Sequence, residues 1–206
     1  MALEPVVAVV AESRQAAKSA AESIYVETED LPVNVDPLRA LQPGAPVLWE
    51  GAPDNISAEM RHGDAAATEA AFARAAHRVS LDLLNQRVAP APMEPRSVLA
   101  AFDEGTGRMT VRLSNQMPTG IRNSLADIIP GLTQQSVRVV IGDVGGGFGM
   151  KTGINAEDVA VAWAALQLKR PVKWQAERIE DSPAAVHCPD APRRAEPALV
   201  AAGRVL

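Results

Sequence analysis

Little in this chain is sulfhydryl, aromatic or strongly basic, and each shortage closes off a class of function. Cys188 is the one cysteine in 206 residues, so the chain cannot form an internal disulfide, a zinc site of clustered thiolates or an iron–sulfur cluster of its own. A reducing, cytoplasmic setting is the expectation that follows. Aromatic residues make up 3% of the chain while alanine is abundant, which favours small-residue packing between helix and sheet. Lys and Arg number 20 against 25 Asp and Glu, a net charge of -5, which argues against a nucleic-acid or anionic-membrane surface. No apolar run approaches the ~20 residues of a membrane span. The start, MALEPVV, lacks the basic segment of a secretory signal. What remains is a chain long enough to bury a real core as one or two domains.

The hydrophobic pattern fills in the elements. Residues 6–11 read as a short apolar strand, 13–23 as a helix carrying Ala16, Ala17, Ala20 and Ala21 at helical spacing, and 24–28 as a second strand. Residues 36–55, rich in proline, glycine and asparagine, read as a linker. Asp64 is placed to cap an alanine-rich helix that ends near His77, and residues 78–85 alternate as a half-buried strand with Val79, Leu81 and Leu83 inward. Strands over 98–102 and 108–114 flank a glycine-containing hairpin turn. A helix with Ile121, Leu125, Ile128 and Ile129 on one side follows, and then an apolar strand over 137–141. Asn155 caps another helix, with Val159, Ala162, Trp163 and Leu166 expected on its buried face, before the alternating strand of Val172, Trp174 and Ala176. The tail beyond Asp181 has no clear pattern.

Between the strand at 137–141 and the helix after Asn155 lies GDVGGGFGMKT, residues 142–152. Glycine at that density lets backbone amides approach a ligand with no Cβ in the way. The run is not a P-loop, because Met150 stands where the glycine before Lys151-Thr152 belongs, and the dinucleotide pattern G-x-G-x-x-G breaks at the same residue. A nucleotide-binding domain is disfavoured for that reason.

The run resembles the GGGFGxK signature of the molybdenum-cofactor subunit of the molybdenum hydroxylases, the family of xanthine dehydrogenase, aldehyde oxidase and aerobic carbon monoxide dehydrogenase. Upstream, PMEPRSVLAAFDEGTGRMTVRLSNQMPTGIRNSLADIIPGL is similar to that family's MEPR stretch, strand hairpin and Asn-Gln pair with following helix. Downstream, NAEDVAVAWAALQLKRPVKWQAERIED is similar to its helix and strand. The resemblance implies an α+β (mixed α/β) fold in two parts. Residues 1–50 would be the end of an α/β hammerhead domain with its linker, the earlier part of that domain being expected but absent ahead of it. Residues 51–206 would be the first part of a molybdopterin-binding domain. It also implies a molybdenum-pyranopterin cofactor, in the cytosine dinucleotide form, held by a dithiolene with no direct protein ligand to the metal. Gln116 matches the glutamine whose amide approaches the metal's oxo group, and Phe148 with Gly149 matches the loop beside it. Gly145, Gly146 and Gly147 would cradle anionic cofactor oxygens. A neutral amide suits that place, since it donates without bringing a charge into a poorly solvated pocket.

The reaction so implied is hydroxylation of a carbon centre with oxygen from water, electrons leaving through iron–sulfur and FAD groups on partner subunits. Thr152 stands where xanthine-oxidising members carry a purine-contacting glutamate, which disfavours purines and leaves an aldehyde, carbon monoxide or a heteroaromatic as the substrate class. The family's catalytic glutamate belongs to a region beyond residue 206, so this chain contributes no catalytic residue, and alone it is expected to be inactive and prone to aggregate or to need its partner subunits or the rest of the large subunit. A truncated, non-catalytic remnant or partner-binding module stays open as the alternative. Among the other polar residues, Glu94 and Arg96 read as an ordinary surface ion pair. Lys151 reads as a solvated lysine, His62 and His77 as capping or surface groups, and His187 and Cys188 as incidental.

Overall fold

A computed structural model describes residues 5–86, 88–184 and 191–206, and has the α+β character expected. In chain order its elements are α1 (Arg14–Glu22), α2 (Pro37–Ala40), α3 (Ala65–Ala73), β1 (His77–Arg78), β2 (Leu81–Asn85), β3 (Ser97–Asp103) and β4 (Arg108–Leu113). Then come α4 (Pro118–Ile128), β5 (Val137–Val140), α5 (Ala156–Leu168), β6 (Val172–Gln175), α6 (Arg178–Ala184), β7 (Ala191–Ala195) and β8 (Ala198–Leu199). They fall into two compact units: Met1–Val26 with Val88–Cys188, and Glu27–Arg87 with Pro189–Leu206.

The first unit is organised by a four-stranded sheet in the order β5-β4-β3-β6. β3 runs antiparallel to both β4 and β6, and β5 pairs parallel to β4. The register sets Val98 opposite Leu113 and Trp174, Ala100 opposite Val111 and Val172, and Met109 opposite Val137, so the alternate residues of four strands share a face. That face is covered by α4 through Ile121 and Leu125 and by α5 through Val161, Ala162, Ala164 and Ala165. Small alanines on α5 let its backbone lie close to β3, as the scarcity of aromatics suggested. Asp103 Oδ1 accepts from the backbone N–H groups of Gly105 and Thr106 at 2.9 and 3.3 Å and closes the β3–β4 turn.

Several expectations need correction here. Trp163 is 53% exposed: the buried stripe of α5 runs through Asp158, Val161, Ala162 and Ala165 at i, i+3, i+4 and i+7, and Trp163 lies outside it. Ile128 is exposed as well, while Ile129, just past α4, is buried. α1 forms with Ser13 as its cap, Oγ accepting from the Ala16 N–H at 3.2 Å. The flanking stretches 6–11 and 24–28, expected as strands, join no ladder, since no partner strand lies beside them among the described residues. α1 buries nothing, and ion pairs of Arg14 and Lys18 with Glu177, and of Glu12 with Arg170, attach this stretch to the unit.

The second unit has no such core; among its described residues only Ala198 is buried. The expected linker holds a short helix, α2, capped by Asp36 Oδ1, which accepts from Leu38 N–H at 2.9 Å. Asn55 fastens the following loop by donating to the Ala40 and Pro46 carbonyls and accepting from Leu48 N–H. Asp64 does cap α3, accepting from Ala67 N–H at 2.9 Å, but the helix stops at Ala73, short of His77. β1 pairs with β8 and β2 with β7, both antiparallel. The tail beyond Asp181 does contribute the end of α6 and both β7 and β8. β2 is exposed along its whole length rather than half-buried, since a two-stranded ribbon presents no second layer to either face. His187 and Cys188 lie outside the described residues. No helix among the described residues is long and apolar enough to cross a membrane.

Candidate functional site

The parallel strand β5 delivers the glycine loop, and Ser114-Asn115-Gln116, just past the end of β4, lie beside it. The loop's conformation depends on glycine at most of its positions, for different reasons. Gly146 and Gly149 have φ of 104° and 84°, in the left-handed region where a side chain is strained. Phe148 adopts φ 48° without that licence. With the Met150 N–H donating to the Gly147 carbonyl at 2.8 Å, positive φ at both central residues has the form of a type I′ turn. The turn turns the Phe148 ring out, 73% exposed, and sends Met150 inward to full burial.

Close neighbours account for the rest. A Cβ at Gly145 would stand 2.6 Å from Glu94 Cβ, and one at Gly146 2.9 Å from Pro92 Cβ. A Cβ at Gly147 would collide with the Gln116 carboxamide, 2.5 Å from its Cδ. The glycines therefore accommodate the PMEPR segment on one side and Gln116 on the other. Gln116 and the bend, expected to converge, do lie against one another.

Lys151 and Glu94 tie these pieces together, and both expectations for them are overturned. Lys151 is not solvated. Its side chain is 0% exposed, and Nζ donates to the Glu94 carbonyl at 2.8 Å, to Glu94 Oε2 at 3.1 Å and to Ser114 Oγ at 2.8 Å. All three of its hydrogens are thereby used. Glu94 does not pair with Arg96. Its Oε2 accepts from Ser114 Oγ at 2.6 Å and from the Gly145 N–H at 2.7 Å as well as from Lys151. Partial burial works against ionisation of Glu94, but the hydrogen bonds from Ser114, Gly145 and Lys151 outweigh it and hold the carboxyl below its ordinary range. One of the amides expected to cradle a ligand, that of Gly145, is consequently committed to Glu94.

The backbone of Gln116 is fixed by the same lysine, its N–H donating to the Lys151 carbonyl at 2.8 Å. Asn115, 3% exposed, donates to the Gly153 carbonyl at 3.1 Å and accepts from the Met117 N–H at 2.8 Å, locking the entry to α4. Behind the PMEPR segment, Arg96 is buried. Its Nε donates to Asp181 Oδ1 at 2.7 Å, and its two terminal nitrogens each reach a Glu157 oxygen at 3.2 Å. Its guanidinium also lies 5.6 Å from the Trp174 ring centroid. Arg178 donates to the carbonyls of Pro92 and Met93 at 2.7 Å each. Ser114, Asn115 and Arg178 were missed, and Lys151 misread as solvated, because the contacts that join separate segments span 20 to 86 positions and leave no local spacing signature.

What the bend offers to a ligand is then limited and specific. The N–H groups of Gly147, Phe148 and Gly149 have no acceptor among the described residues. Beside them stand the neutral carboxamide of Gln116 and the exposed Phe148 ring. These uncharged donors are suited to an anionic or oxo-bearing group, and the two charged side chains packed against the bend, Glu94 and Lys151, are engaged with each other. Such donors fit a pyranopterin cofactor whose metal is held by its own dithiolene.

Residues 48–206 match the model of the molybdopterin cofactor-binding domain. The chain belongs to this domain family, in the molybdenum hydroxylases. It is 37% identical to the carbon monoxide dehydrogenase large chain of Hydrogenophaga pseudoflava over 87% of its own length and 24% of that protein's. To the nicotine 6-hydroxylase large subunit of Paenarthrobacter nicotinovorans it is 39% identical, covering 89% and 22%. Its fold superposes on carbon monoxide dehydrogenase from Oligotropha carboxidovorans with a TM-score of 0.84 at 32% identity, over 94% of this chain and 25% of that one. The domain thus spans about a quarter of the length of the curated relatives it matches.

Proposed function

We propose that this chain forms one wall of the cofactor pocket of a molybdenum hydroxylase large subunit, an oxidoreductase that hydroxylates an aldehyde, carbon monoxide or a heteroaromatic compound with oxygen from water. The observation that carries this reading is the seating of the Gln116 carboxamide on Gly147, next to the free amides of the bend, in a domain of this family. The names of its relatives, a carbon monoxide dehydrogenase and a nicotine 6-hydroxylase, support the gas and heteroaromatic classes.

In this reading Gln116, Gly146, Gly147, Phe148 and Gly149 contact a molybdenum-pyranopterin in its cytosine dinucleotide form, while Gly145 shapes the bend and gives its N–H to Glu94. When bound, the molybdenum centre supplies the redox and oxygen-transfer chemistry. The chain's own part is to hold the cofactor, to donate from an uncharged amide where a charge would be poorly solvated, and to exclude water with the Phe148 ring. The proton-transfer glutamate, iron–sulfur centres and FAD belong to other segments and partner subunits, and the complex works in the cytoplasm. Residues 1–50 close a hammerhead domain and residues 51–206 open the cofactor-binding one, a division supported by the family match beginning at residue 48.

Molybdenum and pterin assays on the complex purified with its partner subunits test the proposal. One molybdenum and one pterin per large subunit are expected. Absence of both from a folded, assembled complex would reject it in favour of a non-catalytic remnant.

A further inference from the structure

Lys151 is an unusual residue to seal from solvent. A buried ammonium is costly unless every donor is matched and a counter-charge is near. Here both conditions hold, and the partners come from separate parts of the chain: Glu94 from the PMEPR segment and Ser114 from the end of β4. The lysine itself sits one position after the buried Met150, at the exit of the bend. Through its carbonyl it also receives the Gln116 N–H, so one residue holds the bend with its side chain and the glutamine with its backbone. Glu94 completes the link by accepting from the Gly145 N–H at the other side of the bend.

We infer that Lys151 is a positioning residue for the cofactor pocket: its buried ammonium, clasped by Glu94 and Ser114, fixes the glycine bend and Gln116 relative to each other, and it does not itself contact an anion. The inference rests on the proposed cofactor role and deepens it. Removing the clasp leaves Gln116, Phe148 and the free amides in the sequence while loosening their mutual geometry. Supporting residues of this kind affect retention of a metal centre by about 10- to 100-fold.

The decisive comparison uses the assembled complex carrying Lys151→Met alone and Lys151→Met with Glu94→Gln. The double variant removes both charges together, so no unpaired ion is left to prevent folding. Three quantities are read: thermal midpoint, molybdenum and pterin content after dialysis, and the EPR spectrum of the molybdenum centre. The expected result is a double variant that melts near the wild type yet loses cofactor at least about tenfold faster and shows a shifted EPR spectrum. A double variant with wild-type cofactor retention and an unchanged spectrum overturns the inference and leaves Lys151 a purely structural ion. If the wild-type complex itself carries no molybdenum, the functional reading fails, an outcome separate from the failure of the clasp.

Discussion

Around Val111 in the first unit, alternate residues of a four-stranded sheet are buried or half-buried beneath α4 and α5. Around Leu83 in the second, five consecutive strand residues all face solvent. β4 alternates polar and apolar residues throughout, and residues 79–83 alternate into β2, so the difference does not come from strand patterning. It comes from what lies above them: among the described residues β4 has two strand neighbours and a helical layer, whereas β2 has one neighbour, β7, and no layer. The comparison shows why the candidate site sits where it does. A bend holding a left-handed phenylalanine and closely packed glycines is strained, and it persists only where surrounding structure over-determines it. The first unit supplies that surrounding with a packed core and two buried ionic clusters, one around Arg96 and one around Lys151.

The contrast can be broken most forcefully at Arg96. Arg96→Ala strands Asp181 and Glu157, which are 1% and 13% exposed, without a cation. A loss of about 3–5 kcal/mol is expected in denaturant titrations followed by tryptophan fluorescence. A loss under about 1 kcal/mol, the range of a surface pair, would show that the cluster is solvated and the first unit open to water there. Next, Leu125→Ala should cost about 2–5 kcal/mol because its side chain is wholly buried in the core. The matched change in the second unit, Leu83→Ala, should stay within about 0.5 kcal/mol. Equal effects from the two leucines would mean that β2 is covered in solution and would erase the distinction between the units.

A smaller effect is expected from Asn115→Ala, about 1–3 kcal/mol, through the orphaned Met117 N–H and Gly153 carbonyl. The finest test is pH. Glu94 has a lowered carboxyl pKa in the folded chain, so its contribution is present above the usual carboxylate value of 4.5 and is lost as pH falls through the folded value. Asp158 has the opposite sign: burial pushes its carboxyl up against the bonds it accepts from Asn155, and ionisation there costs stability at neutral pH. Acid titration of the thermal midpoint for wild type and Glu94→Gln should therefore show a shallower acid loss in the variant. Parallel curves would mean that the bonds from Ser114, Gly145 and Lys151 do not hold the Glu94 carboxylate in solution.

How much was legible beforehand varies by the range of the interaction. The caps at Ser13, Asp64 and Asn155, the β3–β4 hairpin and the α4 stripe through Ile121 and Leu125 follow from neighbours within a few residues, and all are present. The glycine run and Gln116 also stood out in the sequence, by resemblance. Lys151, by contrast, read as a solvated side chain, and Glu94 with Arg96 as a surface pair. Their true partners lie far along the chain, and charge alone does not reveal burial. The strands assigned to 6–11 and 24–28 had the right composition and lacked a neighbour to complete their ladders.

By itself, then, the sequence determined the order of elements from β3 to β6, the glycine bend after β5 and the membership of a molybdopterin cofactor-binding family. Only the tertiary structure decided that Gln116 rests on Gly147, that Lys151 is enclosed by Glu94 and Ser114, and that β7 returns to β2. The reason is physical. Periodicity and capping are set by a residue's immediate neighbours, whereas the fate of a charge or a strand edge depends on which distant groups chain closure brings within a few ångströms of it.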